Sequence, residues 1–316
     1  MAGYRVFSVF IAFVIFNLFP ISCIAGTISV KADGSGDQPT IRDAVQAAVA
    51  GDEIVLAVGT YTDEGNRDID FGGKAVTIRS TAPSDSSVAA ATVIDCQGSK
   101  DQPHRAFYFH SGEDENSVVK GLTIKNGFAK TIKHLGGKQA AGGAICCLSS
   151  SPSIINCIFD NNHAACKTES GSSSCGKGGA IYLIRSSNAA IIDCTFTGNN
   201  AYWGGALYIG SRCGPDVTNC KFVDNTAGLG GAVFNHYSVP VFSDSSFINS
   251  RSSSSFGGGA VYSQSSSPTF YNCRFSGNRA PSDGGAIVNV SESVCKLNNC
   301  KFRGNSKKAI AVKHSS

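Results

Sequence analysis

The chain is poor in charge. Of its 316 residues, 16% are Asp, Glu, Lys or Arg, and the formal net charge is only +4. With a single Trp and no recognised binding module, nucleic acid is not an expected partner. No segment of the central region places apolar residues at i, i+3, i+4 and i+7 over ten residues, which excludes helices as its building unit. Beyond residue 25 no stretch is apolar for 18 residues, so no later segment reads as a membrane span. None of the 13 cysteines stands in a C-x₂-C pair and the six histidines are scattered, so no metal site is expected.

The one long apolar run stands at the start, after Arg5, and ends in Cys23-Ile24-Ala25. Small residues at the last and third-last positions fit signal-peptide cleavage before Gly26. Residues 1–25 are therefore expected to be removed. The mature chain is then secreted, extracellular or in a cell wall, with no membrane contact.

What the chain has in plenty is glycine, 36 residues, and a repeat. Gly-Gly-Ala starts at Gly142, Gly178, Gly204, Gly230, Gly258 and Gly284, in steps of 36, 26, 26, 28 and 26. A second half follows in step: [ND]-C-x-F-x-x-N, with Phe159, Phe196, Phe222, Phe247, Phe275 and Phe302. Asn162, Asn199, Asn225, Asn278 and Asn305 stand three residues after their Phe, and Ser250 takes that place after Phe247. A near-constant period means one unit stacked on itself. Its segments are short, β-branched or aromatic, and bounded by Gly, Ser, Pro and Asn, so the unit is built of strands. The fold class follows: all-β, a parallel β-helix in which each coil lies about 4.8 Å from the last. Phe and the small residue two before it (Cys157, Cys194, Cys220, Ser245, Cys273, Cys300) point inward, Asn bonds amide to amide at a turn, and Gly-Gly makes a corner.

The N-terminal part is less regular. Thr40 reads as an N-cap, with Ile41, Ala44, Val45 and Ala48 as an apolar stripe ended by Gly51. This predicts a short helix covering the first coil. Strands are predicted at 53–58, 75–79, 93–96, 106–109 and 118–125. The whole of 26–316 reads as one domain. It divides into a strand and cap helix (26–52), irregular coils (53–140), regular coils (141–305) and a tail (306–316).

The paired GGAI and FxxN motifs resemble the repeats of chlamydial polymorphic outer-membrane proteins. Asp33-Gly34-Ser35-Gly36-Asp37 leading to Pro39-Thr40-Ile41, then Gly51-Asp52-Glu53-Ile54-Val55-Leu56 with Gly59-Thr60-Tyr61-Thr62-Asp63, resembles the start of pectinesterases and of wider pectin-lyase-like proteins. The resemblance implies a right-handed parallel β-helix. It implies no single activity, because that fold hosts esterases, hydrolases, lyases and binding proteins. The later pectinesterase motifs (QDTL-, DFIFG- and LGRPW-like) are absent, as are the Asp-Asp and Gly-His-Gly segments of polygalacturonases.

Cys166 and Cys175 flank a Ser- and Gly-rich insertion and are the expected disulfide. The ladder cysteines are expected to stay buried thiols, because parallel stacking holds Cβ atoms too far apart to bridge. Cys96, Cys146, Cys147, Cys213 and Cys295 have no assigned partner. Asp193 and Asp244 occupy the [ND] position and read as turn residues. His163 and His236 lack an acidic or nucleophilic partner at matching positions.

The residue between Cys and Phe must face out, which exposes Lys221, Arg274 and Lys301. From residue 271 on, Arg274, Arg279, Lys296, Lys301, Arg303, Lys307, Lys308 and Lys313 face only Asp283 and Glu292. Lys221, Arg274, Lys301 and Arg303 are thus candidate ligands for an acidic glycan. Asn289-Val290-Ser291 is a glycosylation sequon. Complete structural ladders without a complete catalytic set point to a non-catalytic surface or matrix protein that binds carbohydrate or a surface protein, with no cofactor. Two alternatives stand beside it. One is a polysaccharide lyase or glycoside hydrolase acting on an acidic polysaccharide near 145–177, with calcium entering only if it is a lyase. The other is a self-associating fibre subunit.

Overall fold

A computed structural model describes residues 25–129, 131–132, 139–165 and 176–313. The leader up to residue 24 and the Cys166–Cys175 pair lie outside the described residues.

Four parallel sheets wrap one core. Sheet 1 has ten strands, from Thr27–Val30 and Glu53–Leu56 to Lys296–Asn298. Sheet 2 has nine, from Gly59–Tyr61 to Lys301–Arg303, and sheet 3 nine, from Ile69–Asp70 to Ile310–Lys313. Sheet 4 is short: His163–Ala164, Asn200–Trp203, Thr226–Leu229 and Arg251–Ser252. The four coils that carry all four strands visit the sheets in the order 1, 2, 4, 3, as in Ala190–Ile192, Thr195–Thr197, Asn200–Trp203 and Leu207–Ile209. This is the right-handed parallel β-helix. One small ribbon, Thr131–Ile132 with Gln139–Ala140, is antiparallel.

The repeat residues stack as their chemistry requires. Phe159, Phe196, Phe222, Phe247, Phe275 and Phe302 are in register, and successive ring centroids are 4.8, 4.8, 4.8, 4.7 and 4.9 Å apart. Burying each ring contributes roughly 2–3 kcal/mol. The thiols of Cys157, Cys194, Cys220 and Cys273 lie beside them, buried and free. Each donates to backbone carbonyls, for example Cys194 Sγ to the Ile192 carbonyl at 3.2 Å.

Inside the turn between sheets 2 and 4, Asn162 Nδ2 donates to Asn199 Oδ1 at 3.1 Å, Asn199 to Asn225 at 3.0 Å and Asn278 to Asn305 at 2.9 Å. The strained backbone is not theirs. It belongs to the residue before, where Asn161, Asp224 and Asn249 hold φ of 51°, 53° and 52°. Asn and Asp tolerate this region because their short polar side chains bond locally.

The two glycines of each Gly-Gly-Ala have different reasons to be glycine. The first takes positive φ in every one but Gly258, 63° at Gly178 and 67° at Gly204. The second lies against the next coil, and a Cβ on Gly179 would collide with the Gly205 carbonyl oxygen.

The cap helix Ile41–Ala47 forms as expected. Thr40 Oγ1 accepts from the Asp43 amide at 3.2 Å, and Ile41, Ala44 and Val45 are buried. Two readings are corrected. Residues 118–125 make two strands, Val118–Lys120 and Thr123–Lys125, because Gly121 turns the chain at φ 66°. A second helix, Ser86–Ala91, capped by Asp85, carries no apolar period in the sequence and was missed. No helix among the described residues is long and apolar enough to cross a membrane.

Candidate active site

Along each strand of sheet 3, alternate residues face opposite ways. Ile145, Ile181, Leu207, Val233, Val261 and Ile287 enter the core. Their neighbours Cys146, Tyr182, Tyr208, Phe234, Tyr262 and Val288 form an outer column, in register from coil to coil. The aromatic members stack at 5.1, 5.4 and 5.1 Å. Although outside the core, Tyr182 is 0% exposed, Tyr208 2% and Phe234 3%. Trp203 and Leu229 pack against them. Lys177, Trp203 and Leu229 each precede a Gly-Gly and are in register, so the corner folds one side chain per coil over the column.

Lys177 is the chemically distinctive member. Its Nζ lies 4.8 Å from the Trp203 ring centroid and 5.1 Å from that of Tyr208. Burial among these rings pulls its pKa down from 10.5 to about 8. Beside it, His236 Nδ1 lies 3.1 Å from the Tyr208 hydroxyl. Burial, and then the Lys177 charge, lowers the His236 pKa. Arg185, exposed and in the same coil as Lys177, projects its charge onto Tyr182 and Tyr108. The buried Tyr182 hydroxyl has no hydrogen-bond partner among the described residues. A half-buried amine that is largely neutral above pH 8, with a hydroxyl–imidazole pair beside it, is equipped to move protons.

The residues singled out from the sequence lie elsewhere. Lys221, Arg274 and Lys301 share one outward column of sheet 2, interrupted by Ser246, and Arg303 stands at the next outward position of the last strand. All four are exposed. Asp193 and Asp244 sit at corners with φ of 56° and 52° and accept from the amides of Asn219 at 2.6 Å and Asn272 at 3.0 Å. They are turn residues. Tyr61 is structural too, its hydroxyl donating to the Val30 and Ala57 carbonyls at 2.8 Å.

Asn289 is 4% exposed and lies on the same side of its strand as the core residue Ile287, so a glycan on it does not fit this packing. His163 stacks on Phe128 at 5.2 Å. Sequence reasoning places the alternative enzyme's site beside Lys177, Arg185 or His163 but misses the aromatic column that covers Lys177. Its signal was the aromatic two residues after Gly-Gly-Ala in Tyr182, Tyr208, Phe234 and Tyr262.

Residues 84–251 and 144–316 match the family described as right handed beta helix region. The chain belongs to this right-handed β-helix family. Among solved structures, this β-helix protein is similar to the pectin methylesterase from Aspergillus niger, at 13% identity and a TM-score of 0.53, covering 93% of this chain and 91% of that one. It is also similar to the pectin methylesterase from carrot, at 12% identity and a TM-score of 0.39 over 92% and 88% of the two chains. For pectate lyase Pel9A the values are 11% and 0.46, over 92% and 78%. At such identities the likeness is one of fold. A comparison with curated proteins finds no match. The described part of this β-helix protein holds no group of three or more His, Cys, Asp or Glu arranged for a metal ion.

Proposed function

We propose that this β-helix protein cleaves an acidic polysaccharide by β-elimination, with Lys177 as the proton acceptor. The observation that carries this reading is the amine of Lys177, brought by burial to a pKa of about 8 between Trp203 and Tyr208. A uronate ring carries an acidic C–H beside its carboxylate. The neutral amine takes that proton, the electron pair forms the C4–C5 double bond, and the C4–O bond to the next sugar breaks. His236, half-buried and oriented by the covered Tyr208 hydroxyl at its Nδ1, returns a proton to the leaving oxygen, and Arg185 supplies positive charge for the carboxylate. With residues 1–25 as an export signal, the substrate is an extracellular polymer. The likeness to chlamydial repeats is one of motif and adds nothing to the reaction.

The test is a screen of purified protein against pectate, alginate and neutral polysaccharides, following ultraviolet absorbance of unsaturated ends and release of reducing ends together. Both signals on a polyuronate, lost in Lys177→Met, support β-elimination. Reducing ends without absorbance mean hydrolysis and overturn the step. A second reading, binding of an acidic glycan without chemistry, is favoured by the exposed column of Lys221, Arg274 and Lys301 with Arg303. Salt-sensitive binding with no product would establish it.

A further inference from the structure

A groove runs along the outside of sheet 4, two of whose strands end at Trp203 and Leu229 of the Lys177 cluster. His163, Asn200, Thr226 and Arg251 are in register there, and Arg251 is bridged onward to Arg279. Their neighbours Ala164, Ala201, Ala227 and Ser252 are buried, so the first set points outward. The groove before them has a volume of about 530 Å³, and Tyr202, 37% exposed, stands on its wall. A second groove of about 610 Å³, lined by Asp95, Lys100, Asn126 and Phe128, meets it at His163, which lines both. From the Asp95 coil to the Arg251 coil the path takes strand steps of about 4.8 Å each, roughly 24 Å in all.

Along this path every coil from His163 onward presents one polar side chain. The chemistry runs from imidazole through amide and hydroxyl to guanidinium. Asn200 Nδ2 donates to Thr226 Oγ1 at 2.6 Å, which fixes both in place. The one carboxylate among the described residues of the walls, Asp95, is engaged by Lys125 at 3.6 Å and by Asn126 Nδ2 at 3.0 Å. The other charges among the described wall residues are those of Lys100 and Arg251, with Arg279 one coil further. Phe128, one coil from the Asp95 end, and Tyr202, in the Asn200 coil, offer ring surface two coils apart. Repeating hydrogen-bond groups, separated aromatic faces and net positive charge along a straight open path complement an extended sugar chain with carboxylates.

We propose that this composite groove, centred on His163, is a separate binding site for an acidic oligosaccharide laid parallel to the helix axis. It takes the polymer class from the reaction proposed above but uses none of the residues of that site. The polymer is held in the groove and cut beside it, where the same strands reach Trp203 and Leu229.

The experiment measures binding of a long oligogalacturonate and an alginate oligomer by calorimetry. It uses the Lys177→Met protein, so that neither probe is consumed. Adding Arg251→Ser or Tyr202→Ala is expected to weaken binding about tenfold each, with a thermal melt unchanged from the Lys177→Met parent. The Arg251 change is also expected to flatten the salt dependence. Binding unaffected by both changes overturns the groove while leaving the reaction standing. Groove-dependent binding by a wild-type chain that makes no product overturns the reaction and keeps the groove. Absence of binding to either probe overturns the groove whatever the turnover.

Discussion

The Ser250 amide donates to Asn278 Oδ1 at 2.9 Å, yet the buried Ser250 hydroxyl has no hydrogen-bond partner among the described residues. Here the asparagine ladder breaks. Asn162, Asn199 and Asn225 bond in sequence on one side, and Asn278 and Asn305 on the other. Ser250→Asn is expected to restore the missing acceptor for Asn225. The gain is about 1 kcal/mol, read as a rise in melting temperature of roughly 2–4 °C. Asn199→Ala should act oppositely and cost about 1–3 kcal/mol, because it leaves buried groups unpaired. A Ser250→Asn protein that melts lower than the parent would show that the break relieves strain.

Two glycines separate conformational from steric need. Gly198 holds φ of 63° with nothing near its Cβ position, so Gly198→Ala is expected to cost about 1–2 kcal/mol. A Cβ on Gly205 would strike the Gly231 carbonyl oxygen of the next coil, so Gly205→Ala must push two coils apart. It is expected to exceed 4 kcal/mol, roughly the threshold of exceptional substitutions. Chemical denaturation of both proteins checks the order, and equal costs would contradict the stacking argument.

Lys177 gives a pH signature. The fold lowers its pKa from 10.5 to about 8, so between these values the unfolded chain binds more protons than the folded one. Stability from this group therefore rises with pH across that window and is lowest below it. Turnover needs the neutral amine, so kcat/KM is expected to climb with pH and reach half its plateau near pH 8. Lys177→Arg keeps the charge at all working pH values and is expected to lose about 10²–10⁴-fold in turnover. An active arginine variant with an unshifted profile would rule Lys177 out as the base.

The basic column on sheet 2 makes a different forecast. Replacing Arg274, Lys301 and Arg303 by Glu alters exposed side chains, so stability should change by about 0.5 kcal/mol or less per site. Adhesion to polyuronates at low salt should fall, and the difference should vanish at high salt. Binding assays across a salt series decide it. Adhesion indifferent to three charge reversals would remove this face from the glycan-binding account.

Much of the architecture was legible because its causes are local and repeat. A Phe every coil must stack on its counterpart, a buried Asn must bond the next Asn, and a Gly-Gly corner admits no side chain. The period therefore sets the register as well as the fold. Asn289 was legible too, since counting by twos from Ile287 turns it inward, whereas a sequon is defined by three residues in a row and carries no sign of which way the asparagine faces. Gly121 was read as a strand residue because one glycine in an apolar run does not reveal its φ.

What the amino-acid order determined by itself is the coil: its strands, its inward ladders and its outward basic residues, each following from alternation and side-chain size. Only the tertiary structure decided where an outward residue is not exposed. Tyr182 and Tyr208 leave the core yet are covered, and Lys177 meets Tyr208 and His236 across separate coils. Alternation tells which way a side chain points but not what folds over it. The pKa of Lys177 is set by that covering, since removing water from an amine is a property of everything packed around it.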